Sequence, residues 1–98
     1  MSVIHKRVLA EQDLIEIWLY TLEAWGEARA DEYLDNIDKT LRLLAEQPQL
    51  CRLREEFNPP VRIHHCQSHL IVYTEIEGGI EVIRVLHESM DIEGHLDE

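Results

Sequence analysis

Basic residues are scarce in this sequence: nine Lys and Arg stand against twenty Asp and Glu, for a formal net charge of -11. A surface that holds nucleic acid must neutralise phosphates, so the composition speaks against direct nucleic-acid binding, and protonating all six histidines still leaves the chain negative. A basic protein partner fits the charge better. Cysteine is nearly absent. Cys51 and Cys66 form no Cys-x-x-Cys pair, which excludes a disulfide scaffold or a zinc ribbon and leaves both as structural thiols. Long apolar runs are also missing. Met1 to Arg7 leads directly into polar Glu11, Gln12 and Asp13, without the apolar stretch of a signal peptide, and no segment has the length and apolarity to cross a bilayer. No membrane association is expected, and the expected location is cytoplasmic.

What is present is globular. With 98 residues, 45% of them hydrophobic and 30% charged, residues 1–98 read as a single domain with one modest core. The densest apolar, β-branched sequence runs from Val61 to Asp91. Within it, His69 to Ile76 and Ile80 to Glu88 read as two strands, and Glu77-Gly78-Gly79 supplies the turn of a hairpin. In the second strand Ile80, Val82, Arg84 and Leu86 are expected to share one face. Val61 to Cys66, entered through Pro59-Pro60, reads as a further strand, which makes a three-stranded meander.

Upstream, Val3 to Val8 is a candidate first strand. Leu14, Ile17, Trp18, Leu22 and Trp25 then recur at helical spacing up to Gly26. A second helix carries Ala30, Tyr33, Leu34, Ile37, Leu41 and Leu44 and ends before Pro48. Ile92 and Leu96 support one or two helical turns at the end. The expected fold is α+β, in the order β-α-α-β-β-β, with a helical hairpin packed on a small antiparallel sheet and a short C-terminal helical tail.

The order of elements, the second helix ending at Pro48, Arg62 before the sheet and the strand His69-Leu70-Ile71-Val72-Tyr73 together resemble the ParE toxins of bacterial toxin-antitoxin modules. The most specific part of the likeness is Ile83-Arg84-Val85-Leu86-His87 followed by Met90-Asp91 and His95-Leu96. The resemblance covers nearly the whole chain. It implies a RelE/ParE-like fold, a type II toxin that acts on DNA gyrase, and neutralisation by a ParD-type antitoxin. A disordered antitoxin segment that wraps the toxin must outweigh its ordering cost with a large apolar contact. Leu14, Trp18, Leu22, Trp25, Tyr33 and Ile37 are the candidate antitoxin-binding residues, with core packing as their competing role. Arg84, His87, Met90, Asp91, His95 and Leu96 are the candidate target-binding segment, against the alternative that they only staple the tail to the sheet.

The runner-up function is a RelE-type, ribosome-dependent messenger-RNA endoribonuclease. Such chemistry needs cations for the phosphate and a proton-transfer group beside it. Arg62, Arg84 and His87 would be its catalytic set, with Glu46 or Glu81 as partner base. Against it stand the scarcity of lysine and the ordinary structural roles of these residues: Arg84 as an ion-pair partner, and His87 satisfied by a carbonyl or by Asp91. An inactive family member serving as a binding module is the third reading. His64, His65, His69 and nearby Cys66 suggest no metal site, because His64 and His65 point to opposite faces of a strand and ligands must converge. No metal or cofactor is expected.

Overall fold

A computed structural model describes residues 2–96. Its elements are β1 (Val3–Lys6), α1 (Val8–Trp25), α2 (Glu27–Glu46), a 3-10 turn at Pro48–Leu50, β2 (Arg62–Cys66), β3 (His69–Ile76), β4 (Gly79–His87) and α3 (Ile92–Leu96). The strands form one sheet in the order β1-β4-β3-β2. The meander β2-β3-β4 is antiparallel, as its short connections require, whereas β1 joins the far edge parallel to β4. That parallel pairing follows from the helical hairpin, which carries the chain across the sheet between the two strands.

The Glu77-Gly78 turn uses Gly78 at a φ of 83°. Gly79 serves a different purpose. A Cβ on it would lie 1.8 Å from the carbonyl oxygen of Val3, so only glycine lets β1 approach β4 there.

Apolar clusters lie on both faces of the sheet. Ile71, Tyr73, Ile80, Val82 and Val85 pack beneath α1 and α2 against Ile17, Ile37, Leu41 and Leu44. Val61, Val72, Ile83 and Leu86 form the second cluster, covered by Phe57 of the loop before β2 and by Ile92 and Leu96 of α3. The expected sharing of one face by Ile80, Val82, Arg84 and Leu86 does not hold along the whole strand. Val72 pairs with Arg84 and Tyr73 with Val82, so Ile83 is an inserted residue and the alternation inverts across it. Val85 therefore joins the helix-side core, and Leu86 moves to the other cluster.

The second helix buries the expected side: Ala30, Ile37, Leu41 and Leu44 are all inaccessible or nearly so. The first helix is turned relative to expectation. Its buried line is Ala10, Asp13, Ile17 and Thr21, while Trp25 is 73% exposed and Leu14, Trp18 and Leu22 flank the line. The cause is Asp13. Its carboxylate takes a forked pair of hydrogen bonds from Arg84, Nε to Oδ2 at 2.8 Å and Nη2 to Oδ1 at 3.0 Å. Oδ2 also accepts the Val85 backbone N–H at 3.0 Å. β1 covers β4 only as far as Val82, so this N–H lies on strand edge that β1 leaves open. Arg84 further donates to the carbonyl of His95, which ties α3 to the same point.

Removing one partner of a buried ion pair leaves an uncompensated charge, typically at a cost of about 3–5 kcal/mol. Asp13→Ala should lose that amount in urea denaturation, a large share of the roughly 5–15 kcal/mol of a small domain. Asp13→Leu combined with Arg84→Met should recover part of the loss; additive losses would show that the pair is not coupled.

Candidate functional site

At one end of the sheet β3 begins and β4 ends, which places His69 directly opposite His87. The middle of α1 crosses above them, α2 starts alongside, and the chain after β4 folds back beneath. Two adjoining clefts result. The larger, about 450 Å³, lies between Glu16, Ile17 and Tyr20 of α1, the two histidines, and Met90 and His95 of the tail. The smaller, about 300 Å³, is bounded by Trp25, Arg29, Tyr33 and Ser68. Tyr20, His69 and His87 line both.

The histidines are held from behind. His69 is half-buried, its Nδ1 lies 2.6 Å from the Tyr33 hydroxyl, and its ring meets that of His87 edge-on at 5.4 Å. Burial, followed by the neighbouring His87, holds the His69 imidazole below its ordinary range. His87 Nδ1 accepts the Ser89 backbone N–H at 3.1 Å and lies 2.7 Å from the Ser89 hydroxyl. His95 Nδ1 donates to the Asp91 carbonyl at 2.7 Å. Exposed Tyr20 and Trp25 and half-exposed Met90 add apolar surface. Aromatic walls with a few fixed polar groups suit a binding surface. Among the described residues no group of three side chains converges as metal ligands.

The structure brings together most of the expected target-binding residues. Arg84, His87, Met90 and His95 line the larger cleft. Asp91 lies just before α3, with its side chain beside Gly94, and Leu96 packs into the second apolar cluster. The guanidinium of Arg84 is committed to Asp13 and His95, so it supports the cleft from within. Of the expected antitoxin-binding residues, Trp25 and Tyr33 line the smaller cleft. Trp18 is half-buried and donates its indole N–H to Asp31, and Leu14 packs at the rim of the core. Ile37 requires correction. It is 1% exposed and supports the helical hairpin from inside, because α2 turns it toward the sheet.

The candidate ribonuclease set does not assemble. Arg62 pairs with Tyr73, which pairs with Val82, five residues along β4 from His87. Because Ile83 is inserted, the offset is the four residues from Tyr73 to His69 on β3, roughly 13 Å at about 3.3 Å per residue, with two strand spacings still to cross. Arg62 is instead held by the Cys51 carbonyl and Glu75. Glu81 is bound by Arg7, which lowers its carboxyl below the usual range, and by His5, while Glu46 is exposed at the end of α2. His64 and His65 diverge as expected, toward Cys51 and Glu88 respectively.

The sequence matches the family described as the ParE toxin of type II toxin-antitoxin system, parDE, over residues 4–92. The chain belongs to the ParE toxin family. Toxin ParE1 of Caulobacter vibrioides is 33% identical over 87 residues, covering 89% of this chain and 90% of that protein. Toxin ParE1 of Mycobacterium tuberculosis is 35% identical over 88 residues, with the same coverage. A solved structure titled as a chromosomal ParDE TA system from P. aeruginosa shares the fold at a TM-score of 0.75 and 17% identity, covering 89% of this chain and 96% of that one. The chain is thus a ParE-type toxin of a type II toxin-antitoxin system.

Sequence reasoning missed Asp13, Tyr20 and His69 as site residues. Asp13 carried a legible signal, since it occupies the i, i+4, i+8 line with Ile17 and Thr21 while lying on the same helix as the apolar stripe. His69 carried none, because its importance comes from being paired with His87 across the sheet.

The lowered basicity of His69 has a consequence for stability. In the unfolded chain the imidazole takes up its proton near its ordinary pKa of about 6.5. The folded form resists that proton, so the contribution of His69 is present above this value and is lost as pH falls through the lower folded pKa. Between about pH 7.5 and pH 5.5 the urea midpoint of His69→Gln should fall less than that of the parent chain; equal slopes would reject the assignment.

Proposed function

We propose that this ParE toxin inhibits DNA gyrase and that a ParD-type antitoxin silences it by filling the paired clefts. The observation that carries this reading is the sharing of Tyr20, His69 and His87 between the two. Trp25 and Tyr33, expected to hold the antitoxin, and His87, Met90 and His95, expected to meet the target, therefore border one continuous surface. A partner seated against Trp25 covers the approach to the tail residues, and neutralisation is occlusion. Trp18 and Leu22, on the adjoining flank of α1, extend the antitoxin contact. Gyrase as target also fits the acidic chain, since the toxin acts on a protein and does not need to bind the DNA itself.

Deleting the tail is a poor test of target binding. It would uncover Val61 and Leu86 and remove the His95 carbonyl from Arg84. Met90→Glu leaves both in place, because Met90 is 46% exposed. The purified toxin should inhibit gyrase supercoiling or trap cleaved DNA without cutting messenger RNA on ribosomes. Met90→Glu should abolish the gyrase effect with an unchanged melting temperature. RNA cleavage with gyrase untouched would overturn the reading in favour of an endoribonuclease, and activity in neither assay would favour an inert binding module. Trp25→Glu should weaken antitoxin binding by about 2 kcal/mol or more, roughly thirtyfold, while leaving the circular-dichroism spectrum intact.

A further inference from the structure

The smaller cleft offers hydrogen-bond donors that the chain itself does not use. The Tyr33 hydroxyl oxygen accepts the Ser68 backbone N–H at 3.1 Å, and its own proton goes to Nδ1 of His69, the acceptor it meets among the described residues. On the neighbouring strand, Nδ1 of His87 accepts the Ser89 backbone N–H. A ring nitrogen that accepts carries no proton, so each neutral imidazole keeps its proton on Nε2. Neither Nε2 has a hydrogen-bond partner among the described residues, and neither is sealed from solvent, since no buried side-chain nitrogen there lacks a bond. Two donors of fixed tautomer thus belong to the wall that both clefts share.

The charge around these donors is unusual for this chain. None of the residues bounding the smaller cleft is Asp or Glu, although the sequence contains twenty, and Arg29 supplies the one formal charge. Its contact with Glu32 is long, at 3.8 Å, between side chains that are 61% and 67% exposed, and holds the guanidinium weakly. Trp25 and Tyr20, both largely exposed, add flat aromatic faces. The donors therefore suit an anion, and the field limits its charge. Arg29 balances one negative charge, and burial keeps the His69 imidazole neutral. Glu16 in the adjoining cleft and the net charge of -11 oppose a second negative charge. A carboxylate has one charge and two acceptor oxygens, whereas a phosphate ester carries nearly two charges.

We propose that the smaller cleft binds a monocarboxylate borne on a planar apolar ring. His69 and His87 donate their Nε2–H groups to the carboxylate oxygens, Arg29 supplies the balancing charge, and Trp25 and Tyr20 cover the ring. A volume of about 300 Å³ is at the small end of ligand pockets, which matches a compact acid or one terminal residue of a peptide. Two sources present this chemistry: a free aromatic acid, and the terminal carboxylate of a chain that ends in an aromatic residue. Such binding is independent of whether gyrase is the target.

The test is an NMR titration of the nitrogen-labelled full chain with indole propionate, its uncharged amide, phenyl phosphate, and the peptide Gly-Gly-Trp with a free or an amidated terminus. Before addition, both imidazoles should show a protonated Nε2 and an unprotonated Nδ1. Indole propionate should bind at least about tenfold more tightly than its amide and shift the Nε2 resonances of His69 and His87. Arg29→Gln, at an exposed position, should weaken the acid by about fivefold or more and leave the amide unchanged. Trp25→Ala should weaken both alike, because stacking does not read the charge. Tighter binding of free-ended Gly-Gly-Trp than of indole propionate supports the site and assigns it to a chain terminus; the reverse order supports it and assigns it to a free acid. Equal affinity for acid and amide, tighter binding of phenyl phosphate, shifts that bypass both histidines, or no binding of any carboxylate in the millimolar range would overturn the proposal.

Discussion

The buried pair between Asp13 and Arg84 sets the position of nearly everything around it. Two ionised side chains, each about 11% exposed, are costly to remove from water, and they persist because the forked geometry is completed by further partners. Oδ2 of Asp13 serves the Val85 N–H, and Arg84 reaches the His95 carbonyl. One helix, one strand edge and the C-terminal tail thus meet at a single charged centre. The surrounding apolar contacts are less selective, since a helix face can slide or turn over a sheet at modest cost, whereas a bidentate pair cannot.

That fixed point explains the shape of the candidate surface. Holding α1 by Asp13 places Glu16, Ile17 and Tyr20 over the end of the sheet. The inserted Ile83 inverts the strand pattern just before Arg84, so that Val85 comes to lie on the helix side. The pairing of β3 with β4 then sets His87 against His69, and Tyr33 closes the arrangement from α2. The tail returns over the second apolar cluster and offers Met90 and His95 to the cleft. A surface assembled from five segments in this way is suited to partner recognition. It lacks the convergence of Arg62, Arg84 and His87 that phosphodiester cleavage by that set would need.

Much of this was legible in the residues. Gly78 and the β-branched runs marked the hairpin, Pro48 and Pro59-Pro60 bounded the loop, and Ile37, Leu41 and Leu44 gave the buried side of α2. The run from Ile83 to His87 carried the family likeness, and family membership follows from the matched residues 4–92. What escaped notice depended on contacts distant in sequence. The direction of β1 is set by the crossover of two helices, and the inversion within β4 by one inserted residue with no composition signal. The rotation of α1 came from an aspartate that apolar periodicity passes over, and Trp25 followed the helical spacing yet faces solvent. Hydrophobic pattern alone therefore ranked the side chains of α1 by size, while the fold ranked them by what Arg84 required.

The account stands or falls on whether this ion pair organises the cleft and the tail together. Backbone amide spectra and heteronuclear NOEs of Asp13→Asn, which keeps the shape and removes the charge, address it directly. The predicted result is a joint change: the Val85 amide, His69, His87 and residues 92–96 shift, α3 gains motion, and the β3–β4 turn at Gly78 stays as in the parent chain. Changes confined to the immediate neighbours of residue 13, with α3 as ordered as before, would contradict it.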